Sequence, residues 1–240
     1  MAEAVTAGRF ERWRRLWRAI ILPLNAVALL PVIVGGVIVG ARLLGDETSD
    51  AQPPDARYEG AALERPAPDF SLIDQDGQSV ALTDLRGKVV VLAFMDSRCD
   101  DTCPLTAQEL RLTANVLGSR VDERVAFVAI NVNRNFNRPE DVALFTREQH
   151  LDEIPGWRFL TGPPEWLEPV WTAYNINVQP PSEPGEDDFQ HSPGVYVIDQ
   201  QGNLVRHVSV PLLEDPSIPT WDGRPLRELL ELHVRKLLEQ

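Results

Sequence analysis

Hydrophobic positions are distributed along this chain in three ways, and each predicts a different kind of element. Residues 89–95, Val-Val-Val-Leu-Ala-Phe-Met, are apolar without a break and too short for a helix, so they predict a buried central strand. Residues 125–130, Val-Ala-Phe-Val-Ala-Ile, repeat that pattern and predict a second one. Between them Leu110, Ala114, Leu117 and Val121 recur at helical spacing. Asp69-Phe70-Ser71-Leu72-Ile73 and Ser79-Val80-Ala81-Leu82 flank a polar turn ending in Gly77-Gln78, which is a hairpin signature. Arg138-Pro139-Glu140-Asp141 opens a helix reaching about residue 149, residues 157–160 read as a short strand, and Pro163-Pro164-Glu165 opens a helix reaching residue 174. Residues 194–199 and 203–208 pair across Gln200-Gln201-Gly202. Leu226, Leu229, Leu230, Val234, Leu237 and Leu238 then form one face of a terminal helix. Strands alternating with helices, followed by a late hairpin and helix, predict an α/β sandwich with a mixed central sheet flanked by helices. An irregular loop is expected over 178–190, ending at His191, and a loop that long inside a compact domain usually has a function.

The third pattern stands at the start. Residues 19–41 carry no charge and are long enough to cross a bilayer as a helix, with Pro23 and Pro31 tolerable there. Arg9, Arg12, Arg14, Arg15 and Arg18 precede the run, with Trp13 and Trp17 at the expected interface. This predicts a basic cytoplasmic N-terminus over 1–18, one N-terminal transmembrane helix over 19–41, and everything after Arg42 on the outer face of the cell membrane. A cleaved signal peptide fits less well, because the run exceeds the usual apolar core of one. No cysteine lies near its end, which argues against a lipoprotein. Residues 42–66 are rich in Asp, Glu, Pro and Ala and predict a linker without a core, leaving 67–240 as the folded domain.

Charge is divided unevenly along the 240 residues. The first 45 carry six basic and two acidic residues, net +4, and the rest carry 17 basic and 34 acidic, net −17. So acidic a body disfavours nucleic acid as a partner and suits either solubility or a positively charged protein.

The only two cysteines are Cys99 and Cys103, in Cys99-Asp100-Asp101-Thr102-Cys103-Pro104, between the first buried strand and the helical pattern after it. Open α/β sheets place their chemistry at that end of a strand. A structural disulfide there would remove only about 2 kcal/mol of unfolded-chain entropy, so a chemical role is the better expectation. At a spacing of four across a first helical turn, the sulfurs can meet as a disulfide or converge on one metal ion. The helix N-terminus is expected to lower the pKa of whichever cysteine lies inside it. Thiolates select soft metals, copper(I) and zinc foremost. Of the four histidines, His150, His207 and His233 have ordinary explanations in a helix end, a strand and an apolar helix face. His191 stands at the junction of the long loop with the strand beginning near Val195, where it can reach the edge of the sheet.

Phe94-Met95-Asp96-Ser97-Arg98-Cys99-Asp100-Asp101-Thr102-Cys103-Pro104, followed by His191-Ser192 and Tyr196-Val197-Ile198-Asp199, resembles the Sco/SenC family. Leu160-Thr161-Gly162-Pro163-Pro164-Glu165 and Ala173-Tyr174-Asn175-Ile176 agree with it. The resemblance implies a thioredoxin-like fold and a membrane-tethered copper chaperone for the binuclear copper site of cytochrome c oxidase. Its partner would then be the copper-bearing subunit of that oxidase or another copper protein. The ligands for copper(I) and copper(II) would be Cys99, Cys103 and His191. The family pattern has Pro where this chain has Asp100, Asp where it has Gln190, and Val-Asp-Pro where it has Val132-Asn133-Arg134. None of these departures removes a ligand.

Rival readings remain. A thiol–disulfide oxidoreductase would use Cys99 and Cys103 as its redox pair, although that motif normally has two intervening residues and has no need of His191. A peroxiredoxin shares the entry Pro68-Asp69-Phe70-Ser71-Leu72 but needs Thr or Ser before its reactive cysteine, where Asp96 and Asp100 stand here. A zinc site of two Cys, one His and water fits the same residues, and only metal analysis separates it from copper. An interaction domain with an idle disulfide is the remaining alternative.

Overall fold

The structure, a computed structural model, describes residues 59–181, 187, 189–209 and 223–240. All of these lie in one compact unit, Arg57–Gln240. The expected cytoplasmic segment 1–18, the membrane span 19–41 and the linker as far as residue 58 lie outside the described residues. Among those described, no helix is long and apolar enough to cross a membrane.

In chain order the elements are β1 (Ala61–Pro66), β2 (Ser71–Ile73), β3 (Ser79–Ala81), β4 (Val89–Met95), α1 (Thr102–Leu117), β5 (Val125–Asn131), α2 (Pro139–Glu148), β6 (Arg158–Leu160), α3 (Pro164–Ala173), β7 (Val178–Gln179), β8 (Gln190–His191), β9 (Val195–Ile198), β10 (Asn203–Val208) and α4 (Leu226–Leu238). The main sheet runs β1-β10-β9-β4-β5-β6. Strands β4, β5 and β6 are parallel, while β9 joins β4 and β1 joins β10 antiparallel. This is the mixed sheet that the element order predicts, and with helices on both faces it is a thioredoxin-like α/β fold.

Strand β4 is buried along its whole length, and its two-residue alternation divides the core. Val89, Val91, Ala93 and Met95 face α1, α2 and α4, through Leu110, Phe145 and Leu230 among others. Val90, Leu92 and Phe94 face the other way, against α3 and the β2–β3 hairpin, through Leu72, Leu167 and Tyr174. Both cysteines belong to the α1 side of this core.

Three expectations need correction. Residues 61–66 are not linker: they form the edge strand β1, registered on β10 from Ala61 opposite His207 to Pro66 opposite Asn203. Ala-Ala-Leu-Glu-Arg-Pro contains no β-branched residue, and its place comes from main-chain pairing at a sheet edge, where Pro is allowed. Helix α1 stops at Leu117, because Gly118 takes φ 60° and turns the chain, so Val121 is buried beyond the helix instead of on it. The region 178–190 is not irregular throughout. Its ends pair as β7 and β8, Val178 opposite His191 and Gln179 opposite Gln190.

Candidate metal centre

The seven apolar residues of β4 end at Met95, and the next turn carries the chain to the N-terminus of α1. Asp101 caps that helix by accepting the Thr102 N–H on its carboxylate. Cys103 is therefore the second helical residue, and Cys99 lies just ahead of the helix. Cys99 Sγ accepts the Cys103 N–H at 3.3 Å, so the sulfur takes up one of the free donors of the helix end. On its other side it lies 2.9 Å from Asp101 Oδ1, to which a thiol form donates. Cys103 Sγ accepts the Asp96 N–H at 3.4 Å. Both cysteines are free thiols and both are buried, Cys99 at 9 % exposure and Cys103 at 2 %.

The pair is electrically asymmetric, in the opposite sense to the sequence expectation. The Cys99 thiol is pulled below its ordinary value, first by the hydrogen bond from the Cys103 thiol, against burial and Asp101, with help from main-chain donors. The Cys103 thiol is pushed well above its ordinary value by donating to Cys99, by burial and by the Cys99 charge. The cysteine inside the helix is thus the one that keeps its proton. The helix end acts on the sulfur that sits over it, which belongs to the residue outside.

His191 reaches the same place from β8. Its ring is set by its Nδ1, 3.1 Å from the Ser192 carbonyl oxygen. A carbonyl only accepts, so Nδ1 carries the hydrogen and Nε2 presents a lone pair. That Nε2 lies 3.7 Å from Cys103 Sγ. Burial holds the imidazole below its ordinary pKa, partly opposed by the Ser192 carbonyl and the Asp96 and Asp101 charges. The strand carrying it is pinned at its base, where the Ser192 N–H meets the Asn177 carbonyl at 3.1 Å and the Asn177 N–H meets Ser192 Oγ at 3.1 Å.

The three residues singled out from sequence therefore meet, and the other histidines do not join them. His150 is exposed, 3.7 Å from Glu153. His207 stacks on Tyr196 at 4.5 Å, and His233 Nε2 meets the Glu59 carbonyl at 2.7 Å. As they stand, no three His, Cys, Asp or Glu side chains among the described residues form a finished metal site. The spacing of the second sulfur and the imidazole still fits one. Metal bonds of about 2.3 Å to sulfur and 2.0–2.1 Å to nitrogen, opened to about 115°, leave their donors about 3.7 Å apart.

Behind these three residues lies a polar layer that the cysteine and histidine motifs do not announce. Asp96 is fully buried and accepts hydrogen bonds from the Arg98 N–H (2.7 Å), from Asn133 Nδ2 (2.9 Å) and from the Phe189 N–H. Burial raises its carboxyl above the ordinary value, opposed by these donors and by His191. Asn131 Oδ1 takes the Ser97 and Asn133 N–H groups at 3.3 and 3.1 Å, and its Nδ2 donates to the Phe136 carbonyl at 2.8 Å. A polar residue at the end of each fully buried strand, Asp96 directly after β4 and Asn131 closing β5, was the available signal.

A thioredoxin-like sheet that delivers a buried dithiol and a neutral imidazole to one strand end defines a class: redox-active or thiophilic-metal proteins built on this fold. Within it, the SCO1/SenC family model matches residues 59–217, and the chain belongs to that family. A Stutzerimonas stutzeri protein named for copper binding is 27 % identical over 153 residues, covering 63 % of this chain and 73 % of its own length. A SCO1 protein homolog of Bacillus subtilis is 26 % identical over 140 residues, covering 57 % of this chain and 70 % of its own. The solved structure of Arabidopsis thaliana ScoI with copper bound superposes with a TM-score of 0.58 at 24 % identity, covering 72 % of this chain and 98 % of that one.

Proposed function

We propose that this chain is a membrane-anchored metallochaperone that holds copper on Cys99, Cys103 and His191. It would pass the ion, outside the cytoplasmic membrane, to the copper-bearing subunit of cytochrome c oxidase or another copper protein. The observation that carries this reading is the lone pair of His191 Nε2 at 3.7 Å from Cys103 Sγ, while Cys99 Sγ accepts the Cys103 N–H at 3.3 Å. Copper bound in the ScoI of Arabidopsis thaliana and the copper-binding name of the Stutzerimonas stutzeri relative support the choice of metal. Soft thiolates suit copper(I), and the imidazole adds the nitrogen donor that copper(II) prefers. Copper is held by thiolates, so Cys103 releases its proton to solvent as the ion binds. Cys99 exchanges its contact with Asp101 for the ion. Being the more exposed sulfur and the more stable thiolate, it is where a recipient's ligand enters during exchange.

Copper content decides the matter. The reduced chain is expected to bind one copper(I) per molecule, and the chain oxidised at Cys99 and Cys103 none. Cys99→Ser/Cys103→Ser binding copper as tightly as the reduced parent would place the site elsewhere, and a preference for zinc over copper would replace the proposed cargo.

A second reading, a thiol–disulfide oxidoreductase acting on partner cysteines, is favoured by the asymmetry of the pair. A stabilised Cys99 thiolate beside a protonated Cys103 is the arrangement of an attacking and a resolving sulfur. The two activities use the same dithiol and need not exclude one another.

A further inference from the structure

Asp96 touches all three pieces of the site at once. Its main chain holds the dithiol: the Asp96 N–H donates to Cys103 Sγ at 3.4 Å, and its carbonyl accepts the Cys99 N–H at 3.4 Å. Its side chain holds everything else. One oxygen takes the Arg98 N–H at 2.7 Å and Asn133 Nδ2 at 2.9 Å. The other takes the Phe189 N–H, with Asn133 Nδ2 at 3.2 Å. Phe189 is buried, stands 93 positions away, and lies two residues before His191, directly ahead of the strand that carries it. Asn133 closes the arrangement by donating also to the Asp187 carbonyl at 2.6 Å.

We propose that Asp96 is a positioning residue for metal binding: through the Phe189 main chain it fixes the His191 strand against the cysteine loop and so sets the imidazole-to-sulfur distance. The inference rests on the ligand assignment proposed above. Every partner of the carboxylate is a hydrogen-bond donor, and a carboxylate accepts on both oxygens. A carboxamide in its place keeps one acceptor and turns a donor toward a donor. The orientation that saves the paired contacts to Arg98 and Asn133 sets its NH2 against the Phe189 N–H. Asp96→Asn therefore releases the His191 strand while leaving the cysteine loop held. Groups behind a metal ligand are worth about 10–100-fold in affinity, and a loss in that range is expected here.

The test has two parts, both on the full-length chain. In the reduced, metal-free parent, the Phe189 amide should be protected from hydrogen exchange, and Asp96→Asn should speed its exchange about tenfold or more, as loss of a bond to a charged acceptor requires. An unprotected Phe189 amide in the parent overturns the proposal without any variant, so a failure of Asp96→Asn to fold does not shelter it. The second part is a double-mutant cycle on copper(II) affinity. Asp96→Asn should weaken binding about 10–100-fold in the parent and less than about twofold in the His191→Ala background. An equal loss in both backgrounds means that Asp96 acts on the thiols or the fold, and the proposal falls. If His191→Ala alone changes nothing, the ligand assignment is what fails, and the exchange of Phe189 still decides whether Asp96 places the strand.

Discussion

Replacing His191 by Ala separates a copper carrier from a bare dithiol. The substitution removes one of the three proposed donors and one hydrogen bond, from Nδ1 to the Ser192 carbonyl, a net cost to stability of about 1 kcal/mol. The β8 strand keeps its pairing with Val178 and Gln179, so the fold should survive. The effect on metal depends on oxidation state. Copper(I) accepts low coordination and remains on two thiolates, so its affinity should fall by less than about tenfold. Copper(II) prefers nitrogen and oxygen donors and, on the proposed ligand set, would lose its one imidazole. If the partner behind a ligand is worth about 10–100-fold, the ligand itself is worth at least the upper end, about 100-fold or 2.8 kcal/mol. The assay pairs an anaerobic copper(I) competition titration with the intensity of the sulfur-to-copper(II) charge-transfer band. An unchanged band with unchanged copper(II) affinity removes His191 from the site and hands the dithiol to the oxidoreductase reading. Equal losses in both oxidation states would instead mean that the substitution damaged the cysteine loop.

The asymmetry of the dithiol predicts that a limiting alkylating agent near neutral pH labels Cys99 before Cys103, read by peptide mass. Cys103→Ser, which keeps a donor, should leave the Cys99 pKa lower than Cys103→Ala does, and equal values would discredit the hydrogen bond as the cause. His191, His207 and His233 are each held below the ordinary imidazole value by burial. Below about pH 6.5 the unfolded chain then takes up protons that the folded chain refuses, so the urea midpoint of the metal-free protein should fall as pH drops from about 6.5 toward the folded values; a flat or rising midpoint contradicts this. A reporter fused after Gln240 should be active only outside the cytoplasm, and cytoplasmic activity or a mature N-terminus near residue 45 would reject the retained anchor.

Much of this architecture is legible in sequence because it is periodic or local. The buried strand β4 needs nothing beyond its run of apolar residues, and the hairpin of β2 and β3 needs only its Gly77 turn between short apolar stretches. The two cysteines are tied to each other by a helix start that lies between them, so their meeting is a local event. Edge strand β1 escapes notice for the complementary reason. Its residues are mostly exposed, and what holds them is the main chain of β10, about which their side chains say nothing. The short ladder of β7 with β8 is hidden in the same way, as two-residue strands have no period to detect.

His191 lies between these cases. Its residue type and its place before β9 mark it out, but the contact that matters joins positions 88 apart, and no local rule reports such a contact. Asp96 is harder still, since nothing in its immediate neighbourhood announces a ligand. What it offers is a contradiction. A carboxylate directly after seven buried apolar residues cannot be left without partners, since an unpaired buried charge is costly. The sequence around it supplies only the N–H of Arg98, so the remaining donors must come from elsewhere in the chain. Asn133 and Phe189 are those donors, and Phe189 immediately precedes the strand that carries the histidine. The demand of one buried acceptor for distant donors is thus what joins the cysteine half of the site to its histidine half.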